Sequence, residues 1–496
     1  MRIIYFDIDS LRADHLGCYG YHRATSPNID QLAAAGVRFD QCHVSDAPCL
    51  PSRTSLFTGR FGIHSGLVNH GGVAAELRPE GPQRGFFSRL STTSWMSCLR
   101  QAGLRTATVS SFGERHSAWH WYAGFNEVYN CGQGGLEVGN VVEKLTTDWL
   151  ERQPDDADDW FLHVNLWDPH TPYNTPPEFG DPFADTPLPA WYKPEVHARH
   201  WAGCGPHSAQ EALGFDDKWP YAHPWPRQPH VINDMQDARR MFDGYDNGVL
   251  YADRVIGRIL DQLEARGWRD DTWVVISADH GENLGELNVY CDHQTADSIT
   301  SRVPLIICPP RSLGLGNGRV DPGLLYQNDM AATLVELAGG KVPADWSGRS
   351  FASALQSDQA AAAREDLVLS QMAWSCQRSV RWDQWLAIRS YHDGYHDFPD
   401  WMLFDVTADP HLQHNRAAEC PDRVAEGALR LDRWMAEMLA TGDHADDPMR
   451  IVMMEGGPFH TRGELPSYLE RLRATGRSDC AERLAAAHPG DLVNRS

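Results

Sequence analysis

RIIYFDIDS, Arg2 to Ser10, is a short apolar run that ends abruptly in two aspartates. An unbroken apolar run of this length, with no polar residue alternating through it, marks a strand buried on both faces, and such strands belong to parallel sheets sandwiched between helices. Open parallel sheets bind their ligands beyond the carboxyl ends of the strands, where Asp7 and Asp9 stand. Two apart on an extended chain, the two carboxylates face the same way.

Helix-then-strand signals repeat outward from this segment. NIDQLAAAGVRFDQCHV (28–44) reads as a helix closed near Gly36 and followed by a strand. SWMSCLRQAGLRTATVS (94–110) repeats the order, as does VVEKLTTDWLERQ (141–153) with WFLHVNLWDPH (160–170). Further on, YDNGVLYADRVIGRILDQLEARG (245–267) is an amphipathic helix, and TWVVISADHGE (272–282) is a second buried strand that runs into acid and histidine. Helices alternating with apolar strands imply right-handed crossovers and an α/β fold: a large, mostly parallel sheet with helices on both faces.

Residues 171–232, rich in Pro, Trp and His and without periodicity, are expected to form an ordered insertion over the strand ends, in the position of a lid. Beyond about residue 360, REDLVLSQ, RSVRWDQWLAIRS and WMLFDVT alternate apolar and polar residues as antiparallel strands do, and ECPDRVAEGALRLDRWMAEMLA closes with a helix. The 496 residues exceed what one core usually organises. The expected division is a catalytic domain over 1–360, carrying the insertion at about 171–232, and a smaller C-terminal α+β subdomain with an antiparallel sheet, plus a tail, over 361–496.

A formal charge of −23 opposes long-range attraction to nucleic acid or to an anionic membrane, so neither is an expected partner, and an anionic ligand needs a local positive site. The first ten residues hold too few apolar positions for a signal peptide or a membrane span; the expected location is the cytoplasm, or the periplasm for a chain whose leader has been removed. Eleven cysteines without a CxxC pair or zinc-type spacing read as reduced, structural thiols.

Three strand ends carry chemistry: Asp7 and Asp9, then Asp168 and His170, then Asp279 and His280. Converging on one crevice, Asp7, Asp9, Asp279 and His280 offer hard oxygen ligands and one imidazole to a divalent cation. A single strand-end aspartate is as often a cap or turn former; recurrence across strands favours a site. DAPCLPSRTSLFTGR (46–60) adds a cysteine held between Pro48 and Pro51, which exclude it from a helix interior and put it at a turn. Helix-compatible spacing begins at Ser52 and Gly59 closes it, so Cys49 lies near a helix N-terminus, where the dipole favours negative charge.

CLPSRTSLFTGR resembles the signature of the type I sulfatases, C-x-P-S-R followed by T-G-R, within the alkaline phosphatase superfamily. The resemblance covers most of the chain: DSLRADHLGCYGY with TSPNIDQLAAAGVRF is similar to the family's N-terminal segment, NLWDPHTPY to its histidine-bearing strand end, SADHGE to its second metal segment, and LFDVTADPHLQHN to its C-terminal turn. It implies a sulfate ester hydrolase in which a maturation enzyme converts Cys49 to formylglycine, and it implies one divalent cation, calcium foremost with manganese or magnesium as alternatives, at Asp9, Asp279, His280 and the modified Cys49, with Asp7 as a further ligand. Arg53 then holds the nucleophile's hydroxyls, His293 serves as the general acid that protonates the leaving oxygen, and His170 contacts the sulfate and is the second candidate for the acid.

The chain also departs from the family pattern. A lysine usual near His293 is replaced in Cys291-Asp292-His293, and TVSSFGERHSAWHW lacks the lysine of the family's Gly-Lys-Trp-His segment, leaving Glu114, Arg115 and His116 to rebuild that wall, with His116 a further catalytic candidate. Ser10 follows Asp9 where an Asp-Asp pair is common. Arg115, Asn69 and His170 are the expected substrate-binding residues. Eighteen tryptophans, including Trp119, Trp121, Trp191, Trp201, Trp219 and Trp225, offer faces for stacking on sugar rings and favour a sulfated saccharide as substrate. The nearest alternative is a phosphonate or phosphate ester hydrolase of the same superfamily, which shares the Asp279-His280 type of metal pair; the alternative of another class is a binding protein with a decayed site.

Overall fold

The computed structural model describes residues 1–78, 88–215, 223–357 and 359–492. Its main sheet has eight strands: β1 (Arg2–Ile8), β2 (Val37–His43), β3 (Arg105–Val109), β4 (Glu127–Tyr129), β5 (Trp160–Leu166), β6 (Thr272–Ser277), β7 (Leu305–Cys308) and β8 (Arg319–Tyr326), in spatial order β8-β2-β7-β6-β1-β5-β3-β4. Neighbours run parallel except at β7, which is antiparallel to both β2 and β6. Every residue of β1 is buried, as its unbroken apolar run requires. It pairs with β5 and β6 in a register that sets Asp7 opposite both Asn165 and Ser277. The three central strands therefore end level, and the residues just beyond them meet at one edge of the sheet.

Two groups of helices enclose this sheet. Met235–Ala265 packs against Pro27–Ala35 and Gly139–Arg152, while Cys49–Thr58, Trp95–Gln101 and Gln327–Leu337 pack on one another. Tyr5 on β1 meets Trp95 of the second group, with ring centroids 5.7 Å apart, and Asp7 two residues on faces the same side. No helix among the described residues is long and apolar enough to cross a membrane.

The second sheet is a meander of β9 (Asp366–Gln371), β10 (Cys376–Trp382), β11 (Trp385–His392) and β12 (Trp401–Asp405), each antiparallel to the next and covered by the helix Pro421–Thr441. Its fifth member comes from far away: Asp46–Ala47 adds parallel to β9, with Asp46 opposite Ser370 and Ala47 opposite Gln371. The C-terminal sheet thus anchors the segment immediately before Cys49. Further on, two short helices, Leu465–Ala474 and Ser478–Ala487, bury Leu465, Leu469, Leu472 and Leu484 against Tyr395 and Cys204.

Helix Cys49–Thr58 is buried along its whole length and ends at Gly59, whose φ of +69° is left-handed. A β-carbon there would meet the Trp346 ring at 2.1 Å, and that ring is pinned because its indole N–H donates to the Thr93 carbonyl at 3.0 Å. Gly59→Ala adds about 1–2 kcal/mol of left-handed strain to the displacement of Trp346. Its thermal midpoint in scanning calorimetry is expected to fall by a few degrees; an unchanged midpoint would contradict this account of the helix end.

Candidate active site

Beyond β1 and β6 the chain turns sharply. Ser10 adopts a left-handed φ of +60°, its hydroxyl donates to Asp9 Oδ1 at 2.8 Å, and its N–H donates to Asp279 Oδ1 at 3.1 Å, so one residue aligns the carboxylates of two strands. Cys49 and Arg53 stand one turn apart on the same face of their helix. Arg53 is wholly buried: Nε donates to Asp7 Oδ2 at 2.9 Å, and Nη1 donates to Asp9 Oδ2 at 2.9 Å and to Asp279 Oδ2. Ser52 Oγ ties the helix to the Asp279 carbonyl at 2.5 Å. Burial opposes the charge on Asp9, but Arg53, with His170 and His280, outweighs it and holds this carboxyl far below its usual range. Asp279 goes the other way: burial, reinforced by repulsion from Asp9 and Asp7, raises it well above the carboxylate range despite Arg53.

Three buried carboxylates around one guanidinium leave two negative charges uncompensated when all are ionised. That is the charge of one divalent cation, and burial of unpaired charge is otherwise strongly unfavourable. Asp9, Cys49, Asp279 and His280 each present a ligand atom within 4.8 Å of the others. His280 is in the tautomer a metal needs, since its Nδ1–H donates to the Gly281 carbonyl at 2.8 Å and leaves the Nε2 lone pair facing Cys49 Sγ at 3.0 Å. Oxygen-rich donors with one imidazole fit a divalent cation. Burial, followed by repulsion from Asp9, pushes the Cys49 thiol up to about 12, so the unmodified side chain is a neutral thiol and a weak nucleophile. Arg53 Nη2, buried without a hydrogen-bond partner, is a donor that an oxygen at position 49 would suit better than sulfur.

Cys49 lies at the floor of a cavity of about 860 Å³ whose wall includes His70, Arg115, His116, His170, His207 and His293. His293 is held between carboxylates, with Nδ1 3.0 Å from Glu282 Oε2 and Nε2 3.8 Å from Asp292 Oδ1. Burial opposes a charge on this ring, and Asp292, Cys49 and Glu282 overcome it, raising it well above the ordinary histidine value. Burial lowers His170 to about 4 and drives His116 well below its usual range, assisted in His116 by Arg115 and Arg53. The Nδ1–H of His170 donates to the Thr171 carbonyl, so Nε2, 3.9 Å from Asp9 Oδ1, carries no proton to give.

The expected residues are distributed unevenly. Asp9, Cys49, Asp279 and His280 come together, whereas Asp7 turns to Arg53 and to His163 Nε2 at 3.2 Å and lies outside that ligand group. Arg115 and His116 line the cavity, with the Arg115 guanidinium 4.9 Å over the Trp167 ring. Asn69 is wholly buried, its Oδ1 accepting the His70 backbone N–H at 2.8 Å, and its neighbour His70 lines the cavity. Of the tryptophans named from the sequence, Trp121 is core, Trp191 stacks on His411 at 4.6 Å, Trp119, Trp201 and Trp225 lie away from the cavity wall, and Trp219 falls outside the described residues.

The aromatic wall comes instead from Trp374, stacked on His460 at 4.3 Å, with Phe215 and Phe459. His460 Nε2 lies 2.9 Å from His70 Nδ1, and His207 Nε2 lies 3.0 Å from Asp292 Oδ2. Sequence reasoning missed these residues and Glu282. Only Glu282 had a local signal, as the acid two places after His280.

The Sulfatase family profile matches residues 2–340, and the profile described as N-sulphoglucosamine sulphohydrolase, C-terminal, matches residues 285–430. The chain is 23% identical over 477 residues to an N-acetylglucosamine-6-O-sulfatase of Bacteroides thetaiotaomicron, covering 83% of this chain and 82% of that one. A solved protein in complex with its substrate D-glucosamine-2-N,6-O-disulfate superposes with a TM-score of 0.70 at 21% identity, over 88% of this chain and 98% of the other. The phosphonate monoester hydrolase of Agrobacterium radiobacter superposes with a TM-score of 0.66 at 18% identity, over 88% and 96%. With the family profile covering the whole main sheet and the segments that hold Asp9, Cys49 and Asp279, the chain belongs to the sulfatase family, type I within the alkaline phosphatase superfamily, and is a sulfuric ester hydrolase.

Proposed function

We propose that the protein hydrolyses the sulfate ester of a sulfated saccharide, with Cys49 converted to formylglycine by a maturation enzyme and a divalent cation, calcium foremost, held by Asp9, Asp279, His280 and the modified residue 49. The observation that carries this reading is Cys49 itself, a neutral thiol beside His280, His293 and a three-carboxylate, one-arginine cluster. The sugar part rests on the cavity, large enough for a saccharide unit and walled by Trp374, Phe215, histidines and acids, and on relatives named for sulfated glucosamines. When present, the hydrated aldehyde and the cation supply an activated hydroxyl nucleophile and neutralise charge on the ester.

The chain's own residues perform the rest. Arg53 fixes the ligand carboxylates and keeps one donor, the buried Nη2, without a hydrogen-bond partner. His280 keeps its proton on Nδ1, away from residue 49. His293 carries the transferable proton, because it stands beside Cys49 with Glu282 and Asp292 supporting its charged form, whereas the proton of His170 is committed to a backbone carbonyl. Arg115 gives the cavity a fixed positive charge for an anionic substrate.

A second reading, phosphonate or phosphate monoester hydrolysis, is favoured by the Asp279-His280 pair. Purified enzyme assayed in parallel on a panel of sulfated mono- and disaccharides, an aryl sulfate and a phenyl phosphonate ester is expected to show its highest kcat/KM on a sulfated sugar. A phosphonate preference would replace the first reading by the second.

Cys49→Ala is expected to keep its circular dichroism spectrum and lose turnover to background. Retained activity in this folded variant would remove residue 49 from the chemistry. For His293→Ala the leaving group decides: a sugar alkoxide needs its proton and a nitrophenolate does not, so the loss on a sugar sulfate is expected at about 10²–10⁴-fold, with little loss on nitrophenyl sulfate. Equal losses on the two substrates would move the acid role away from His293.

A further inference from the structure

Cys204 and Cys480 lie 276 positions apart by their numbers and form no sequence motif, yet both are buried in one apolar cluster, where Cys480 Sγ lies 3.9 Å from the carbonyl of Ala202, two residues before Cys204. Cys204 follows helix Pro194–Trp201, and Cys480 belongs to helix Ser478–Ala487. Both are 5–6% exposed, and both line a cavity of about 390 Å³ distinct from the one above Cys49. Arg483, one turn along the helix, donates from Nη2 to Cys480 Sγ at 3.2 Å while its Nε is held by Asp397 Oδ2 at 2.7 Å, so a cationic group stands directly beside this sulfur.

We propose that Cys204 and Cys480 are a redox pair that closes to a disulfide by exchange with a low-molecular-weight disulfide entering this cavity. Cys480, having passed its proton to solvent, attacks one sulfur of the small disulfide, breaking that S–S bond and releasing the first small thiolate. Cys204 then loses its proton and attacks Cys480 Sγ, forming the Cys204–Cys480 bond and releasing the second small thiolate; the two released protons convert both to thiols. Two protein thiols are oxidised by two electrons, and one small disulfide is reduced to two small thiols.

The bond would staple a wall of the catalytic cavity to the C-terminal helices. Three residues after Cys204, His207 holds Asp292 beside His293, and Leu213 and Phe215 follow in the same wall. Two contacts already fix the approach of the segments: the Gly205 N–H donates to the Tyr468 hydroxyl at 2.6 Å, and Arg477 Nη1 donates to Glu211 Oε2 at 2.9 Å.

The test equilibrates the folded, full-length protein in buffers of hydroxyethyl disulfide and 2-mercaptoethanol, quenches it with an alkylating agent and maps the peptides without reduction. As the buffer becomes oxidising, one cross-linked peptide joining Cys204 to Cys480 is expected to replace both alkylated peptides, and Cys204→Ser is expected to lack it while turning over nitrophenyl sulfate at the wild-type rate. If either cysteine is still fully alkylated in the most oxidising buffer, or if the two end as separate mixed disulfides, the proposal is wrong.

Discussion

The guanidinium of Arg53, buried among Asp7, Asp9 and Asp279, is the interaction on which the site depends. Carboxylates at the ends of two adjacent parallel strands repel one another and are strongly disfavoured out of water, so the sheet can bring them together only with cations supplied from elsewhere. Helix Cys49–Thr58 supplies the first. Because Arg53 and Cys49 share a helix face one turn apart, the same helix that balances the carboxylates delivers the reactive residue to them. With all three carboxylates ionised the guanidinium leaves two charges over, and this remainder defines what else the site holds.

Delivery of that helix depends in turn on the second sheet. Asp46–Ala47 is hydrogen-bonded to β9, so the turn before Cys49 is an edge strand of the C-terminal meander and not a free loop. The same C-terminal part sends Trp374, Phe459 and His460 into the cavity wall. The strands of the main sheet lie within residues 2–326 and those of the meander within 366–405, while the site is built across both. Substrate contacts accordingly come from segments that no single stretch of sequence contains.

What could be read from the sequence follows the range of the forces involved. The unbroken apolar run of β1, the glycine at the end of helix Cys49–Thr58 and the acids after β6 are local signals, and each stands in the structure where local physics puts it. The antiparallel direction of β7 had no such signal, because LIIC is a short apolar run that reads the same in either direction. That Asn69 is buried while His70 lines the cavity had no signal either, because adjacent polar residues in a loop have no periodicity to tell which is buried. The pairing of His460 with His70, the support of His293 by Glu282 and the burial of Cys204 and Cys480 in one cluster arise only when distant segments pack, and the tryptophan that lines the cavity, Trp374, is none of those singled out from the sequence.

The buried charge excess is open to direct measurement. Equilibrium dialysis followed by elemental analysis, on wild type and on Asp279→Asn, reads how many divalent ions the folded chain retains. The account predicts one ion per wild-type chain and its loss from the variant. Wild-type enzyme that hydrolyses a sulfate ester while retaining no stoichiometric divalent ion would contradict it.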